Sequence, residues 1–312
     1  MKRRLLKHRL LKNGSLRNGS LRNGARLFAW AALLPTAAIF AYVRAEPIGE
    51  VVWLSLHRWN LLSRNRPFIG LDNYAELLTD KQFLDALVNT VLIAGGVLLV
   101  TVPLGLVLAA LIHRRTASRV AGVYETAIFL PHVVSLVPAA MAWKWVFDAR
   151  LGPLNALLGF FGVPPQSWLF DPVLAVVCII VLCSWQALGY ALLIFVVGLK
   201  GVPLSLYEAA RLDGAGGLQL FRHVTVPALR PIILYVCVVT LVAGFNTYAQ
   251  AFVLASDTQG APGRLVRVLV ADMLENSFRN YRVGYAAAEA VVLLLMVLGL
   301  TLVQFRLLRS RA

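Results

Sequence analysis

Apolar and polar positions in this 312-residue chain are not finely alternated but segregated into blocks. Six mostly apolar runs, at about 27–45, 86–112, 122–147, 173–199, 231–255 and 285–306, are separated by shorter polar segments. A helix of about 18 or more apolar residues can cross a bilayer core roughly 30 Å thick. The pattern therefore predicts an all-α membrane protein with six transmembrane helices. Pro35, Pro103, Pro131 and Pro138 fall inside the runs. Proline is tolerated there because neighbouring helices can satisfy the backbone groups it frees.

Composition agrees with the pattern. The chain is 59% hydrophobic and 14% charged, with a mean hydropathy of +0.73, whereas soluble domains carry about 25% charged residues. The spans read as one membrane domain, 27–312, behind a basic arm, 1–26. Charge then sets the orientation. The arm, the turn 113–125, the segment 200–230 and the tail 306–312 hold nineteen Lys/Arg against three acids, Glu125, Glu208 and Asp213. The intervening segments, 44–85, 144–172 and 257–282, hold eleven of each sign. Cytoplasmic segments are enriched in Lys and Arg, so both the N- and C-termini are expected in the cytoplasm. The net charge of +15 is mostly a topology signal that also favours anionic lipid heads. Aromatic and basic residues are not interleaved as single-strand binders require, so no nucleic acid partner is expected.

The arm carries a small repeat, "LKNGSLRNGSLRNGA" at 11–25, whose Asn-Gly pairs favour turns. It reads as a disordered basic tail. Asn13 and Asn18 match the glycosylation pattern, but a cytoplasmic tail would not be modified. The alternative is a signal peptide cleaved after Ala45. That would leave the other orientations unchanged.

Several chemistries are missing. No GxxxxGK[ST] loop occurs, so no cofactor is expected on this chain and no ATP hydrolysis by it. There is no HExxH and no GxSxG, and His8, His57, His113, His132 and His223 are scattered. A membrane enzyme has no catalytic constellation to stand on. Cys178, Cys183 and Cys237 lie in apolar runs without zinc spacing and read as packing residues. Glu289 is the acid inside a span, about five residues or roughly 7 Å from its outer end. It either snorkels or pairs across a helix contact, or it lines a transport path.

One polar segment interrupts the apolar design: "YEAARLDGAGGLQLFRHVTVPALRP", 207–231. Pro203 suits a first helical turn, and Leu206, Ala209, Ala210 and Asp213 recur at helical spacing. Gly214, Gly216 and Gly217 supply a turn. Helix resumes with Leu218, Phe221 and Val224 on one stripe, until Pro227 and Pro231 end it. The segment predicts a helix-turn-helix on the cytoplasmic face, over about 203–227. It reads as a docking element for a partner, with a lipid-surface helix as the alternative.

These residues resemble the EAA loop of permease subunits of bacterial ABC importers. Glu208-Ala209-Ala210, then Gly214, then nine residues to Val224, Val226 and Pro227 follow that motif, with Val for Ile and Leu at two positions. "DGA" at 213–215 extends the likeness toward the carbohydrate-importer branch, typified by maltose and glycerol-3-phosphate permeases. "FIGLDNYAELLTDKQFLDALVNT" (68–90), "GPLNALLGFFGVPPQSWLFDP" (152–172) and "FRNYRVGYAAAEA" (278–290) are similar to that branch in the same order. The stretch 254–264 stands where the branch often has a Thr-x-Gly-Gly-Pro turn.

The resemblance implies a type I ABC importer permease fold in a bacterial cytoplasmic membrane, working by alternating access. It implies a second, similar permease, two ATPase subunits that hold ATP and Mg, and an extracytoplasmic solute-binding protein. The segment between spans four and five would be the coupling element. Glu208 would meet a basic residue of an ATPase subunit, Ala209 and Ala210 would allow tight seating, and Asp213, Gly214 and Pro227 would complete the motif.

A sugar-like cargo needs aromatic faces and neutral hydrogen-bonding groups in a cavity. Trp185, Gln186 and Tyr190 in span four, and Asn246, Tyr248 and Gln250 in span five, fit that need. Residues 186 and 190, like 246 and 250, are four apart and share a helix face. The bland reading is hydrogen bonding between helices. Trp143 and Trp145 read as an interfacial belt. Cargo stays open between a sugar, oligosaccharide or polyol and a glycerol-3-phosphate or its diester. The rival of another class is a stand-alone channel or secondary carrier.

Overall fold

The computed structural model describes Phe28 and residues 30–113, 119–254 and 266–309. The arm 1–26 with its repeat, and residues 255–264 of the expected turn, lie outside the described residues. The chain divides into two units, Met1–Leu54 and Ser55–Ala312. In the first, residues 30–40 are helical, Ala41–Ala45 form a π-helical turn, and α1 (Glu46–Ser55) follows. Trp30, Leu33, Leu34, Ile39 and Phe40 are exposed along it.

The second unit contains α2 (Asp72–Leu77), α3 (Lys81–His113), α4 (Arg119–Val133), α5 (Leu136–Val146), α6 (Pro153–Gly159), α7 (Pro172–Lys200) and α8 (Leu204–Leu212). It continues through α9 (Gly217–Leu220), α10 (Val226–Ala228), α11 (Arg230–Phe245), α12 (Tyr248–Leu254), α13 (Leu269–Leu274) and α14 (Val283–Arg309). Phe221–Thr225 and Glu275–Arg279 are π-helical turns. No strand occurs among the described residues, where one isolated bridge joins His57 and Phe68.

Lys81–Ile112, Pro172–Lys200 and Val283–Arg306 are each long and apolar enough to cross a membrane. Two bent pairs bring the number to five if each pair counts as one span: Gly122–Val133 with Leu136–Val146, bent by 100°, and Gly217–Ala228 with Arg230–Phe245, bent by 73°. Proline accounts for the first bend. Pro138 has no N–H to return to the carbonyl of Val134, so the helix breaks there and Ser135 turns extended at φ −58°, ψ 140°.

α3 and α7 form the centre of the second unit. Val102, Leu106 and Ala109 of α3 pack with Ala191, Leu192, Phe195 and Leu199 of α7 and Val236 of α11. Further along the same pair, Ile93 and Val97 pack with Ile179, Leu182, Cys183, Ala139 and Ala140. Apolar side chains gain little by leaving lipid tails for each other, so close van der Waals fit carries this contact. Trp143 joins that cluster, 5.2 Å from the Phe147 ring and 5.7 Å from Trp185. It is therefore a packing residue, whereas Trp145 is exposed as an interfacial residue would be.

At one end of the unit, residues 55–85 cap the start of α14. Buried Asn73 donates to the carbonyls of Ser55 and His57 at 2.7 and 3.2 Å. Leu61 N–H reaches Tyr281 O, and Gly284 N–H reaches Trp59 O. Arg282 pairs with Glu76 at 2.6 Å, and Tyr285 Oη donates to Asp80 at 2.6 Å. Partial burial works against the Asp80 carboxylate. The hydrogen bonds from Tyr285 and the backbone N–H groups of Gln82 and Phe83, with the Arg282 charge, outweigh it and hold its pKa below the ordinary 3.8. Its contribution is thus present above that value and lost as pH falls through the lowered one.

Candidate functional site

Two places in the second unit bring together the residues singled out from the sequence. The first is the segment between α7 and α11. Its second half is anchored: Phe221, Val226 and Leu229 pack into the α3–α7–α11 core. Tyr207 Oη lies 3.1 Å from Thr225 Oγ1 and ties α8 to that anchor. Glu208, Ala209, Asp213 and Gly214 are exposed, and Ala210 and Pro227 are half-buried. Leu204, Leu212 and Leu218 are also exposed, with Leu212 at 90%. The Glu208 carboxylate has no ion pair or hydrogen bond within the described residues. Small residues, an unpaired acid and bare leucines on one projecting element form a surface ready for a partner.

Of the expected apolar stripe of the second helix, Phe221 packs into the core and Val224 is half-buried, whereas Leu218 is 80% exposed and Leu220 is buried. Phe221–Thr225 form a π-helical turn in which Val226 N–H bonds back to Phe221 O.

The turn between α8 and α9 shows why glycine follows Asp213. Gly214 N–H bonds to Arg211 O and Ala215 N–H to Ala210 O, the paired bonds of a Schellman end. Gly214 holds φ +81°. A Cβ there would meet nothing within 4 Å, so the demand is conformational rather than steric. A non-glycine residue in this region costs about 1–2 kcal/mol, less for asparagine. Gly214→Ala is expected to speed amide exchange across 210–216 by about fivefold or more, and Gly214→Asn to recover most of the protection. Equal exchange in the two variants would refute this account.

The second place is a cavity of about 330 Å³ halfway along α3 and α7. It is lined by Val97, His132, Gln186, Thr240, Thr247 and Gln250, among others, with no Lys, Arg, Asp or Glu. The helix breaks create it. The bend at Ser135 leaves the exposed His132 and Val134 at the edge of the cavity, and α11 ends at Asn246 so that Thr247 and Gln250 face the same space. His132 Nδ1 sits 3.2 Å from the Gln186 carbonyl oxygen, which can only accept, so this nitrogen carries a proton. The His132 ring packs against Phe129 at 5.7 Å and Tyr190 at 5.4 Å. Gln186 Nε2 makes a long 3.5 Å contact with Val134 O, the carbonyl that Pro138 leaves free. Thr247 Oγ1 and Gln250 Oε1 are buried without a partner. Buried polar atoms are normally satisfied, so these two are exceptions within the described residues beside the cavity.

Of the path candidates, Gln186 and Gln250 meet in this cavity. Tyr190 flanks it through His132 and hydrogen-bonds Tyr235 Oη at 2.7 Å. Trp185 packs on Trp143 instead. Asn246 is exposed and does not share a face with Gln250, because the helix breaks between them. Tyr248 faces another cavity, of about 300 Å³, with Ala251 and Phe252. His132, Thr240 and Thr247 escaped sequence reasoning. The bend that Pro131 and Pro138 mark was the available signal for His132.

Glu289 is fully buried and accepts a 2.9 Å bond from Asn276 Nδ2. Asn280 Nδ2 donates to Asn276 Oδ1, and Asp272, also buried, pairs with Arg267 at 2.6 Å beside them. Of its three expected roles, the contact across helices is the one the geometry has. It neither snorkels nor lines the 330 Å³ cavity.

The comparisons with known proteins converge. The sequence model of the family described as "Binding-protein-dependent transport system inner membrane component" matches residues 101–311. The "Probable ABC transporter permease protein YurN" of Bacillus subtilis (strain 168) is 34% identical over 287 residues, covering 91% of this chain and 97% of its own. The arabinooligosaccharides transport system permease protein AraP of the same organism is 30% identical over 282 residues, covering 90% and 87%. The sn-glycerol-3-phosphate transport system permease protein UgpA of Agrobacterium fabrum is 31% identical over 270 residues, covering 85% and 89%. A chain in the crystal structure of a bacterial ABC transporter involved in the import of the acidic polysaccharide alginate has the same fold. Its TM-score is 0.75 at 23% identity, over 91% of this chain and 96% of that one.

Proposed function

The chain belongs to the family of binding-protein-dependent transport system inner membrane components, and from that premise we propose that it is one permease subunit of an ATP-driven importer for an uncharged sugar, oligosaccharide or polyol. The uncharged, hydroxyl- and amide-lined cavity between α3, α7 and α11 carries this reading. An anionic cargo such as a glycerol phosphate would need a fixed positive partner, since burying an unpaired charge is costly, and the cavity supplies no Lys or Arg. The relative named for arabinooligosaccharides falls in this class, whereas the similarly related one named for sn-glycerol-3-phosphate does not, so the cavity rather than the relatives carries the choice.

In this reading six spans cross a bacterial cytoplasmic membrane with both termini inside, and residues 27–312 form the membrane domain behind the arm. The helix through 30–55 is the first span, and its exposed apolar side chains suit lipid. A solute-binding protein delivers cargo, a second permease completes the pathway, and two ATPase subunits hold ATP and Mg. The α8–α9 segment seats on one of these through Glu208, Ala209 and Gly214. ATP-driven closure then rocks the spans as rigid bodies about the cavity.

Gln186→Ala and Gln250→Ala each remove one hydrogen-bonding group from the cavity. A loss of about 1.4 kcal/mol is tenfold. Each variant is expected to lower uptake by reconstituted transporter about tenfold while ATPase assembly is kept. Unchanged uptake in both would remove the cavity from the path. Uptake by this chain without any ATPase would instead establish a stand-alone channel or carrier.

A further inference from the structure

α12 is a wall between two cavities. Gln250, with Thr247 just before the helix, faces the cavity between α3 and α7, while Tyr248, Ala251 and Phe252 face the one at the cap end. The spacing explains the division: positions 248, 251 and 252 share one side of a helix, and position 250 lies on another. The cap-end cavity, about 300 Å³, is completed by Arg267 and by Glu275, Phe278 and Arg279 of the last π-helical turn.

Its chemistry differs from that of the first cavity. The Tyr248 and Phe252 rings lie 5.6 Å apart, and Phe278 is 65% exposed at the rim. Arg267 is held rigidly, by Asp272 at 2.6 Å, by Glu275 at 3.4 Å and by Gln82 Oε1 at 3.1 Å. Asp272 in turn lies in the buried network of Asn276 and Glu289. Arg279 is exposed and has no ion pair within the described residues. Arg267 is matched by Glu275 in the lining and by Asp272 behind it, while Arg279 stands without an ion pair within the described residues, so the wall is rich in donors and acceptors and has one more positive group than negative. Aromatic faces receive the C–H side of a sugar ring, and forked N–H and carboxylate groups receive neighbouring hydroxyls.

We propose that the cap-end cavity is a second binding station for a sugar ring, separated from the cavity between α3 and α7 by α12. The inference rests on the importer reading and adds to it a place where cargo is held before it passes α12. The network behind Arg267 then has a purpose, since a buried acid cluster fixes the guanidinium that a sugar would meet.

Photolabelling tests it in the complete transporter, reconstituted with its partner subunits. The probes are diazirine-bearing maltotriose and arabinotriose, with labelled residues located by fragment mass spectrometry. At least one probe is expected to label Tyr248, Phe252 or Phe278, with competition by the underivatised sugar. The double variant Phe278→Ala/Arg279→Gln is expected to lower that label by at least ~tenfold and to leave labelling at Gln186 unchanged. Label confined to His132, Gln186 or Thr247 would overturn the second station and leave the importer reading standing. Cap-end label that persists in the double variant would also overturn the station. No competed label at either cavity with either probe would overturn both.

Discussion

Glu208→Arg is expected to abolish ATP-driven uptake and the co-purification of ATPase subunits, while the chain still inserts and folds. Its side chain is exposed on α8 with no ion pair or hydrogen bond within the described residues, so its replacement disturbs no such contact among them. Its neighbours Ala209 and Gly214 are small and exposed, and Leu204, Leu212 and Leu218 stand bare around them. A surface of that kind gains its energy from a partner that covers it. If that partner presents a basic group to Glu208, arginine turns an attraction into a like-charge contact costing several kcal/mol. A loss of about 3 kcal/mol is already more than ~100-fold in affinity. Glu208→Gln keeps shape and loses only charge, so it should fall between the wild type and the arginine variant. Pull-down of ATPase subunits and uptake in membrane vesicles give the two readings. Wild-type behaviour of Glu208→Arg in both would remove α8 from any coupling role.

The second large effect is structural and lies at the cap. Gly284, in the first turn of α14, packs directly on the backbone of residues 57–59. A Cβ on it would stand 2.1 Å from His57 O and 3.0 Å from Trp59 N. Both are backbone atoms, and the same backbone is held by Asn73 donating to His57 O and by Gly284 N–H donating to Trp59 O. The neighbour cannot rotate away as a side chain would. Gly284→Ala is therefore expected to cost about 3 kcal/mol, the upper part of the range for overpacking. It should appear as a lowered unfolding temperature in detergent and as faster proteolysis within 56–70. Gly299→Ala, on the same helix with nothing within 4 Å of a new Cβ, serves as control, since alanine is the better helix former. Equal stability of the two variants would show that the cap does not rest on Gly284.

How much of this was legible depended on the range of the interaction. The apolar runs marked the long helices because a lipid-facing helix must be apolar along its whole length, whatever it packs against. The turn between α8 and α9 was legible for a local reason: Asp-Gly at 213–214 and the residues around it close the Schellman turn by themselves. On the second helix of that segment Phe221 packs into the core and Val224 is half-buried as the spacing predicts, whereas Leu218 is exposed and Leu220 buried, which spacing alone does not announce. Asn246 and Gln250 were paired on the assumption of an unbroken helix, which the break after Phe245 removes. Tyr248 was grouped with Gln250 and proves to face the opposite side of α12.

The sequence by itself determined the class of the protein, its apolar runs, its charge asymmetry and the projecting segment that carries Glu208. Each follows from residues close together in the chain, acting on lipid or on their own backbone. Only the tertiary structure decided which polar groups meet. His132 reaches Gln186 from 54 positions away because Pro138 breaks a helix and α4 then lies against α7. Glu289 faces Asn276 and Asp272 because α13 and the turn after it fold back onto α14. The partition by α12 exists because one short helix shows its two sides to two different neighbours. These encounters depend on distances set by packing across the whole bundle, to which residue spacing along the chain gives no access.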